Sequence, residues 1–326
     1  MTELRAQVIV VPNTLATNDG NSFNTSPSGA GSVRWLQIHD ASQFGVLSGP
    51  SFLTQFAYRP DGIVGQSGPR SFTLRIYAST TSRTVAGIST TFAENPGTNN
   101  MLVFDGTVNV TTGNLPGPGN TRQFDYVFPF TTPFLYDPAA GNLVLDLQIQ
   151  ASGSAVTFDT VSGDPAIGRV FSFGSSTATT GDLRASHVTQ LTFEPLTPIE
   201  SWRQAYFGSP ASSGNGADSA DPDYDGLSNL LEFSTAGSPI RPGAVAAAGT
   251  RTGNVIEFTY TRNKAAMGAV QFTVEWSDSL SASSWSGAGV TETILNDDGS
   301  VQQVKATVPA GTGNRLFVRL RVSASP

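Results

Sequence analysis

The segment from Asp221 to Glu232 has the residue types and the spacing of a calcium-binding loop. It reads Asp-Pro-Asp-Tyr-Asp-Gly-Leu-Ser-Asn-Leu-Leu-Glu, and it matches every fixed position of the EF-hand loop pattern. Calcium is a hard cation that takes about 6–8 oxygen ligands, and closely spaced carboxylates supply such ligands. The sequence therefore predicts calcium as the cofactor of this protein.

Each predicted ligand has a distinct part in this loop. Three carboxylates come first, a main-chain carbonyl follows, an amide acts directly or through water, and a final carboxylate closes the site from the next helix. Gly226 permits the sharp turn between them. In chain order, the predicted metal ligands are Asp221, Asp223, Asp225, Leu227 (through its carbonyl), Asn229 and Glu232.

The alternative is a solvated acidic loop that only caps a helix. We favour calcium, because three aspartates so close together repel one another without a cation. Asp218 is either a further ligand or a surface residue. The sequence contains no second loop of this kind, so we expect a structural ion and not a calcium sensor.

Two short helices are predicted around the loop. Thr197 can cap the first, Pro198 can take its first position, and Gly208 ends it. A second helix is predicted over residues 227–234. We expect one small core beneath the ion, formed by Trp202, Tyr206, Phe207, Leu227, Leu230, Leu231 and Phe233.

The rest of the chain has the pattern of β-strands separated by turns. Phe72, Leu74 and Ile76 alternate with polar residues, as in a half-buried strand. The predicted fold class is all-β: a jelly-roll-like β-sandwich over 1–196, a helix-loop-helix calcium module over 197–243, and a smaller immunoglobulin- or fibronectin type III-like sandwich over 244–326.

Composition excludes several classes of protein. The 326 residues include no cysteine and carry a net charge of −7, which excludes thiol chemistry and disfavours nucleic acid as a partner. The apolar run Val8–Val11 is far too short to span a membrane. The first residues do not resemble a signal peptide, and we expect one to have been removed from an extracellular or cell-surface protein.

No catalytic motif accompanies the calcium loop. A Ser-His-Asp triad would need His39 or His187 as its base, and the sequence lacks a nucleophile elbow. We interpret both histidines as ordinary strand-end residues and predict that the protein is not an enzyme.

Two kinds of partner remain open. Residues 6–11 form an apolar segment without clean alternation, as expected of a strand buried on both faces. It is either the first strand of its own sandwich or an arm that adds to the sheet of a neighbouring copy. The other candidate partner is a cell-surface glycan, stacked on aromatic residues of the first domain, unless these rings belong to its core: Trp35, Tyr58, Tyr77, Tyr126 and Tyr136.

The sequence also resembles a known group of bacterial proteins. The stretch from Trp202 to Pro239, with Trp-x3-Tyr-Phe-Gly followed by Asp-Pro-Asp-x-Asp-Gly-Leu-Ser-Asn-Leu-Leu-Glu-Phe, resembles dockerin-like or thrombospondin type 3-like calcium loops in secreted proteins of Verrucomicrobia. Phe272-Thr-Val-Glu-Trp-Ser-Asp-Ser-Leu280 resembles the β domain that accompanies them.

The first domain is similar to a β domain of exported proteins that carry PEP-CTERM sorting tails. Arg34-Trp-Leu-Gln37 and Pro133-Phe-Leu-Tyr-Asp-Pro-Ala-Ala-Gly-Asn-Leu143 carry this similarity. It implies export, and it brings no catalytic residues.

Together these observations predict an extracellular, calcium-stabilised structural protein of a bacterial surface layer, matrix or filament. Its expected partner is another copy of itself. The alternative is a carbohydrate-binding or adhesion module of a secreted polysaccharide-utilisation protein.

Overall fold

The computed structural model describes residues 5–25, 31–62, 68–152, 157–244, 247–252, 255–309 and 316–325. The chain divides into two compact units, Met1–Pro195 and Leu196–Pro326. β-Strands dominate the described residues, among which only two α-helices occur, and this confirms the all-β class. The segments predicted as 197–243 and 244–326 both fall within the second unit.

The strands of the first unit alternate with turns and with short 3-10 helices. Its strands are β1 (Gln7–Val11), β2 (Ser22–Thr25), β3 (Val33–His39), β4 (Ser51–Tyr58), β5 (Gly68–Thr81), β6 (Met101–Thr112), β7 (Tyr126–Tyr136), β8 (Asn142–Ser152), β9 (Thr157–Val161), β10 (Ile167–Phe173), β11 (Asp182–Arg184), β12 (Ser186–His187) and β13 (Thr189–Pro195). Its 3-10 helices are Asn13–Leu15, Ala41–Phe44, Val85–Gly87, Phe92–Glu94 and Pro138–Ala140.

Within the described residues, these strands form three antiparallel sheets. One has the order β1-β13-β4-β7, the second β11-β10-β3-β8-β5-β6, and the third β12-β9-β2. Side chains from the first two sheets share one core, in which Phe56 and Phe128 meet Leu74 and Leu145. The first unit is therefore a β-sandwich.

The predicted alternation along β5 is confirmed. Phe72, Leu74 and Ile76 are buried, while Arg75 is exposed. The central strand β8 is different, because Val144, on the outer face, packs in a second small apolar cluster. Short loops cover the outer face there, so the strand is buried on both sides.

The expectation that the N-terminal strand is buried on both faces is wrong. In β1, Ile9 and Val11 are buried, whereas Gln7 and Val8 are exposed. The strand pairs antiparallel with β13 of its own sheet, Ile9 lying opposite Leu191. It lies at the edge of that sheet, and Val8 and Val10 lie on the face opposite to the buried Ile9 and Val11.

The second unit joins two helices to two further sheets. The helices are α1 (Pro198–Phe207) and α2 (Asn229–Thr235), with 3-10 turns at Gly214–Gly216 and Lys264–Ala266. The strands are β14 (Ala248–Thr252), β15 (Val255–Asn263), β16 (Val270–Ser277), β17 (Thr291–Asp297), β18 (Val301–Pro309) and β19 (Phe317–Ala324). Their sheet orders are β14-β15-β18-β17 and β16-β19, with all pairs antiparallel.

Helix α1 begins and ends where the sequence predicts. Thr197 caps it, forming a capping box with Glu200, and Pro198 takes its first position. Gly208 ends the helix in the left-handed conformation at φ 70°. Within the described residues, no helix has the length and apolar character needed to cross a membrane.

The core beneath α2 includes residues from a 3-10 turn and from β16 that the sequence analysis missed. Phe233 is buried against Trp202, with ring centroids 5.8 Å apart, and in the same cluster lie Ala266 and Val270. Leu230 belongs to this cluster as expected. Tyr206 and Phe207 contact the ring of Trp202, but they lie outside this cluster, as do Leu227 and Leu231, contrary to the prediction. The helices thus share their core with β16.

Candidate metal centre

The backbone of the predicted calcium loop wraps around the carboxylate of Asp221. The main-chain N–H of Asp225 donates to Asp221 Oδ1 at 3.2 Å, and that of Gly226 donates to Oδ2 at 2.9 Å. Tyr224 and Gly226 have positive φ angles of 61° and 89°. A glycine is needed at the second position, because side chains rarely adopt this conformation.

Asp225 connects the loop to the chain that follows α2. Its Oδ1 accepts the N–H of Leu227 at 2.8 Å, and its Oδ2 accepts the N–H of Gly243 at 2.8 Å. The loop is therefore closed on itself and also anchored to the segment that leads into β14.

The three aspartates converge on one point. One carboxylate oxygen from each of Asp221, Asp223 and Asp225 lies within 4.8 Å of the others. Both oxygens of Asp223 are shielded from solvent and meet no hydrogen-bond partner in the described part of the chain. Shielded carboxylate oxygens without a donor are what a hard cation requires, so these residues fit a calcium ion.

Glu232 lies in the first turn of α2 with its side chain almost fully buried, only 1% exposed. Its Oε2 has no hydrogen-bond partner among the described residues. Burial, together with the charges of Asp223, Asp225 and Asp221, raises the pKa of Glu232 to about 7. Burial and the charge of Asp225 likewise raise the pKa of Asp223. The local field is strongly negative and favours a bound cation.

The other two predicted ligands have visible structural contacts. The Nδ2 of Asn229 donates to the carbonyls of Asn215 and Ala217, each at 2.7 Å. Its buried Oδ1 has no partner within the described ranges. The main-chain N–H of Leu227 is held by Asp225. The side-chain amide of Asn229 thus connects the start of α2 to the turn that precedes the loop.

Asp218 lies outside the convergent group and pairs with Arg203, whose side chain is buried. Arg203 also donates to the Pro210 carbonyl at 3.4 Å. The sequence analysis missed this arginine, which α1 places facing the loop segment.

A second acidic group lies in the first unit. Asp19, Asp61 and Asp159 bring carboxylate oxygens within 4.8 Å of one another. In this group the negative charge is already offset by a cationic side chain, because the buried Arg59 pairs with Asp159 at 2.6 Å. Burial raises the pKa of Asp159 to about 6 in spite of that pairing. Sequence analysis missed this group, since its members come from three distant segments.

The two histidines are both buried within the sandwich. Nδ1 of His39 lies 3.4 Å from the Leu143 carbonyl. The ring of His187 packs among Trp35, Tyr58 and Phe158, with centroid distances of 4.9–5.1 Å. In the part of the chain that is described, neither ring bonds to a serine or a carboxylate.

The aromatic residues considered for sugar stacking are mostly core residues. Trp35, Tyr58, Tyr126 and Tyr136 are fully buried in the first unit, and Tyr77 is half-buried. Four of the five rings therefore present no face to a ligand in solution.

The chain matches no protein-family model, and no curated protein matches it significantly. The resemblance to secreted Verrucomicrobial and PEP-CTERM-bearing proteins therefore stays a prediction.

Proposed function

We propose that this protein binds one calcium ion at the loop Asp221–Glu232, and that the ion stabilises a non-enzymatic structural protein. One observation carries the proposal: both carboxylate oxygens of Asp223 are shielded and unpartnered beside Asp221 and Asp225. Leaving charged oxygens without partners costs several kcal/mol. A bound divalent cation removes that cost and the repulsion among the carboxylates.

The residues of the loop have separable parts in binding. Asp223 offers both oxygens to the ion, and the buried Glu232 closes the site from α2. Asp221 and Asp225 each use carboxylate oxygens to fix the loop backbone, and this leaves their remaining lone pairs for the metal. Calcium supplies positive charge to this cluster, with no change in oxidation state.

The ion is proposed to hold α2 on the β-sheets of the second unit. Thr261 and Asn263 of β15 donate to the carbonyls of Thr235 and Phe233, at 2.9 and 2.8 Å. Gly243 is held by Asp225. A ligand that binds only the folded state stabilises it by about 2.7 kcal/mol at a hundredfold excess over its dissociation constant.

The calcium assignment is tested by titration calorimetry and thermal unfolding. The chelated protein is titrated with calcium and, separately, with magnesium. We expect binding of one calcium per chain and a higher Tm. In Asp223→Asn both effects should disappear, and they should persist in Asp278→Asn, which removes an exposed carboxylate elsewhere in the same unit. Unaltered binding in Asp223→Asn, or none in the parent protein, overturns the assignment.

The wider role proposed is that of an extracellular component of a surface layer, matrix or filament, with another copy as its partner. The burial of Trp35, Tyr58, Tyr126 and Tyr136 makes us favour this role over carbohydrate binding. We also propose the finer folds, a jelly-roll-like first unit and an immunoglobulin-like second one. Their support is the antiparallel sandwich of the first unit and the two antiparallel sheets of the second.

Negative-stain microscopy of the calcium-loaded protein, run beside a glycan array, separates the two roles. Regular polymers without glycan binding support the structural role. A calcium-loaded monomer that binds defined glycans overturns it in favour of the carbohydrate-binding module.

A further inference from the structure

Arg203 of α1 is a buried cation next to the chain that enters the predicted calcium loop. Its Nη2 donates to Oδ1 of Asp218, and its Nη1 donates to the carbonyl of Pro210 at 3.4 Å. Asp218 lies three residues before Asp221 and outside the convergent aspartates. The guanidinium thus holds both ends of the segment 210–218, which leads into the loop.

The segment that Arg203 holds is bonded in turn to the start of α2. The carbonyl of Asp218 accepts the main-chain N–H of Leu230 at 3.0 Å, and the carbonyl of Ala220 accepts the N–H of Asn229 at 2.9 Å. The first N–H groups of a helix have no acceptor within it, so this segment supplies their acceptors. The position of Asp218 therefore sets the position of the first turn of α2.

The orientation of the Asn229 side chain follows from the same segment. Its Nδ2 donates to the carbonyls of Asn215 and Ala217, each at 2.7 Å. A rotated amide would turn Oδ1 toward two carbonyl oxygens, which have no hydrogen to donate, so only one orientation is favourable. Oδ1 is left without a hydrogen-bond partner within the described ranges, in a residue that is 1% exposed. A buried oxygen held without a donor suits a hard cation.

Resting on the calcium binding proposed above, we propose that Arg203 is a positioning residue of that site. Through Asp218 it holds the segment 215–220, whose carbonyls orient Asn229 so that Oδ1 binds the ion directly. Asp218 itself supports this segment and is not a ligand. Removing a side chain that orients a metal ligand typically lowers the metal affinity by about 10- to 100-fold.

Calcium titration calorimetry on the full chain tests this role. Arg203→Met should raise the calcium dissociation constant at least about tenfold, whereas Arg251→Met, which removes an exposed arginine of β14, should leave it unchanged. Arg203→Lys keeps the charge but replaces the planar fork by a single ammonium group, so its dissociation constant should lie between those of the parent and Arg203→Met. Asp218→Ala removes the same contact from its more exposed partner and should also weaken binding, which keeps the test decisive if Arg203→Met does not fold.

The hydration of the bound ion separates positioning from a general loss of stability. Terbium is bound in place of calcium, and its luminescence lifetimes in H2O and D2O give the number of water molecules on the ion. We expect one more bound water in the folded Arg203→Met protein than in the parent, because Oδ1 of Asn229 leaves the ion. Asn229→Ala should show the same gain. The double variant Arg203→Met/Asn229→Ala should bind calcium no more weakly than Asn229→Ala alone, since both changes act on one ligand.

The outcomes distinguish a failure of this role from a failure of the proposed function. A parent protein that binds no calcium contradicts the proposed function, and the role of Arg203 with it. A parent that binds calcium, beside folded Arg203→Met and Asp218→Ala proteins with the same affinity and hydration, overturns the role of Arg203 alone. Weaker binding without a gain of water, or further weakening in the double variant, shows that Arg203 does not act through Asn229 and also overturns the proposal.

Discussion

The carboxylate of Asp225 accepts the main-chain N–H of Gly243 at 2.8 Å, across 18 residues of chain. Its other oxygen holds the N–H of Leu227 at 2.8 Å. One aspartate therefore fixes both the backbone of the predicted calcium loop and the path of the chain beyond α2. Any change at the loop should alter the environment of Gly243, because this hydrogen bond joins the two segments directly.

Hydrogen exchange should report this coupling. Chelating calcium should raise exchange at the amides of Gly226, Leu227 and Gly243, because repulsion between the carboxylates loosens their acceptors. The amide of Tyr260, within the β15–β18 pairing, should change little. In Asp223→Asn the same loop amides should exchange fast with or without calcium. Equal protection of the loop in calcium and in chelator would show that no ion orders it.

Replacing Phe233 should destabilise the second unit strongly. The side chain is 1% exposed and packs on Trp202, Ala266 and Val270. Phe233→Ala should lower the free energy of unfolding by about 3–5 kcal/mol, since it removes buried apolar surface and leaves a cavity. Urea unfolding measures the loss. Leu280→Ala, at a side chain 69% exposed, should change it by less than about 0.5 kcal/mol.

The buried pair of Arg59 and Asp159 should matter far more than an exposed pair of the same chemistry. Arg59 also donates to the carbonyls of Leu15 and Asn18, at 3.0 and 2.6 Å. Arg59→Ala leaves Asp159 buried without its partner and should cost about 3–5 kcal/mol. Arg75→Ala breaks an exposed pair with Asp105 and should cost far less, because solvent screens exposed charges. Similar losses in the two variants would refute this assignment of their roles.

Stability should depend on pH through His39. Burial lowers its pKa from 6.5 to about 4. Below pH 6.5 the imidazole of His39 binds a proton in the unfolded chain but stays neutral in the folded chain. The stability that the neutral buried ring contributes is therefore fully present above pH 6.5 and is lost as the pH falls toward 4. This loss amounts to about 3 kcal/mol.

Thermal unfolding of His39→Gln beside the parent protein isolates that effect. Asp159 acts in the opposite direction in this range, because its raised pKa makes the folded state hold a proton more tightly. His187, whose pKa is also lowered, acts in the same direction as His39. Asp159 and His187 are unchanged in the His39→Gln variant, so the difference between its pH profile and that of the parent protein is due to His39. We expect a shallower fall in Tm for His39→Gln, and parallel profiles would contradict this.

Local features of the chain were predictable from the sequence. The predicted calcium loop has its aspartates at fixed short spacings, so their convergence follows from one tight turn at Gly226. Thr197, Pro198 and Gly208 specify the ends of α1 in the same way, because capping involves backbone groups only a few residues away. The alternation of Phe72, Leu74 and Ile76 likewise identified a face of β5.

Only the tertiary structure decided which distant segments meet. Arg59 and Asp159 lie 100 residues apart in the chain, and β1 pairs with β13 from the other end of the first unit. The buried Arg169 of β10 likewise donates to His187 of β12, which belongs to another sheet. Strand order follows from burying apolar faces across the whole unit, which short sequence patterns do not specify. The sequence by itself therefore determined the convergence of the three aspartates and the caps of α1, while the tertiary structure determined which buried charges meet.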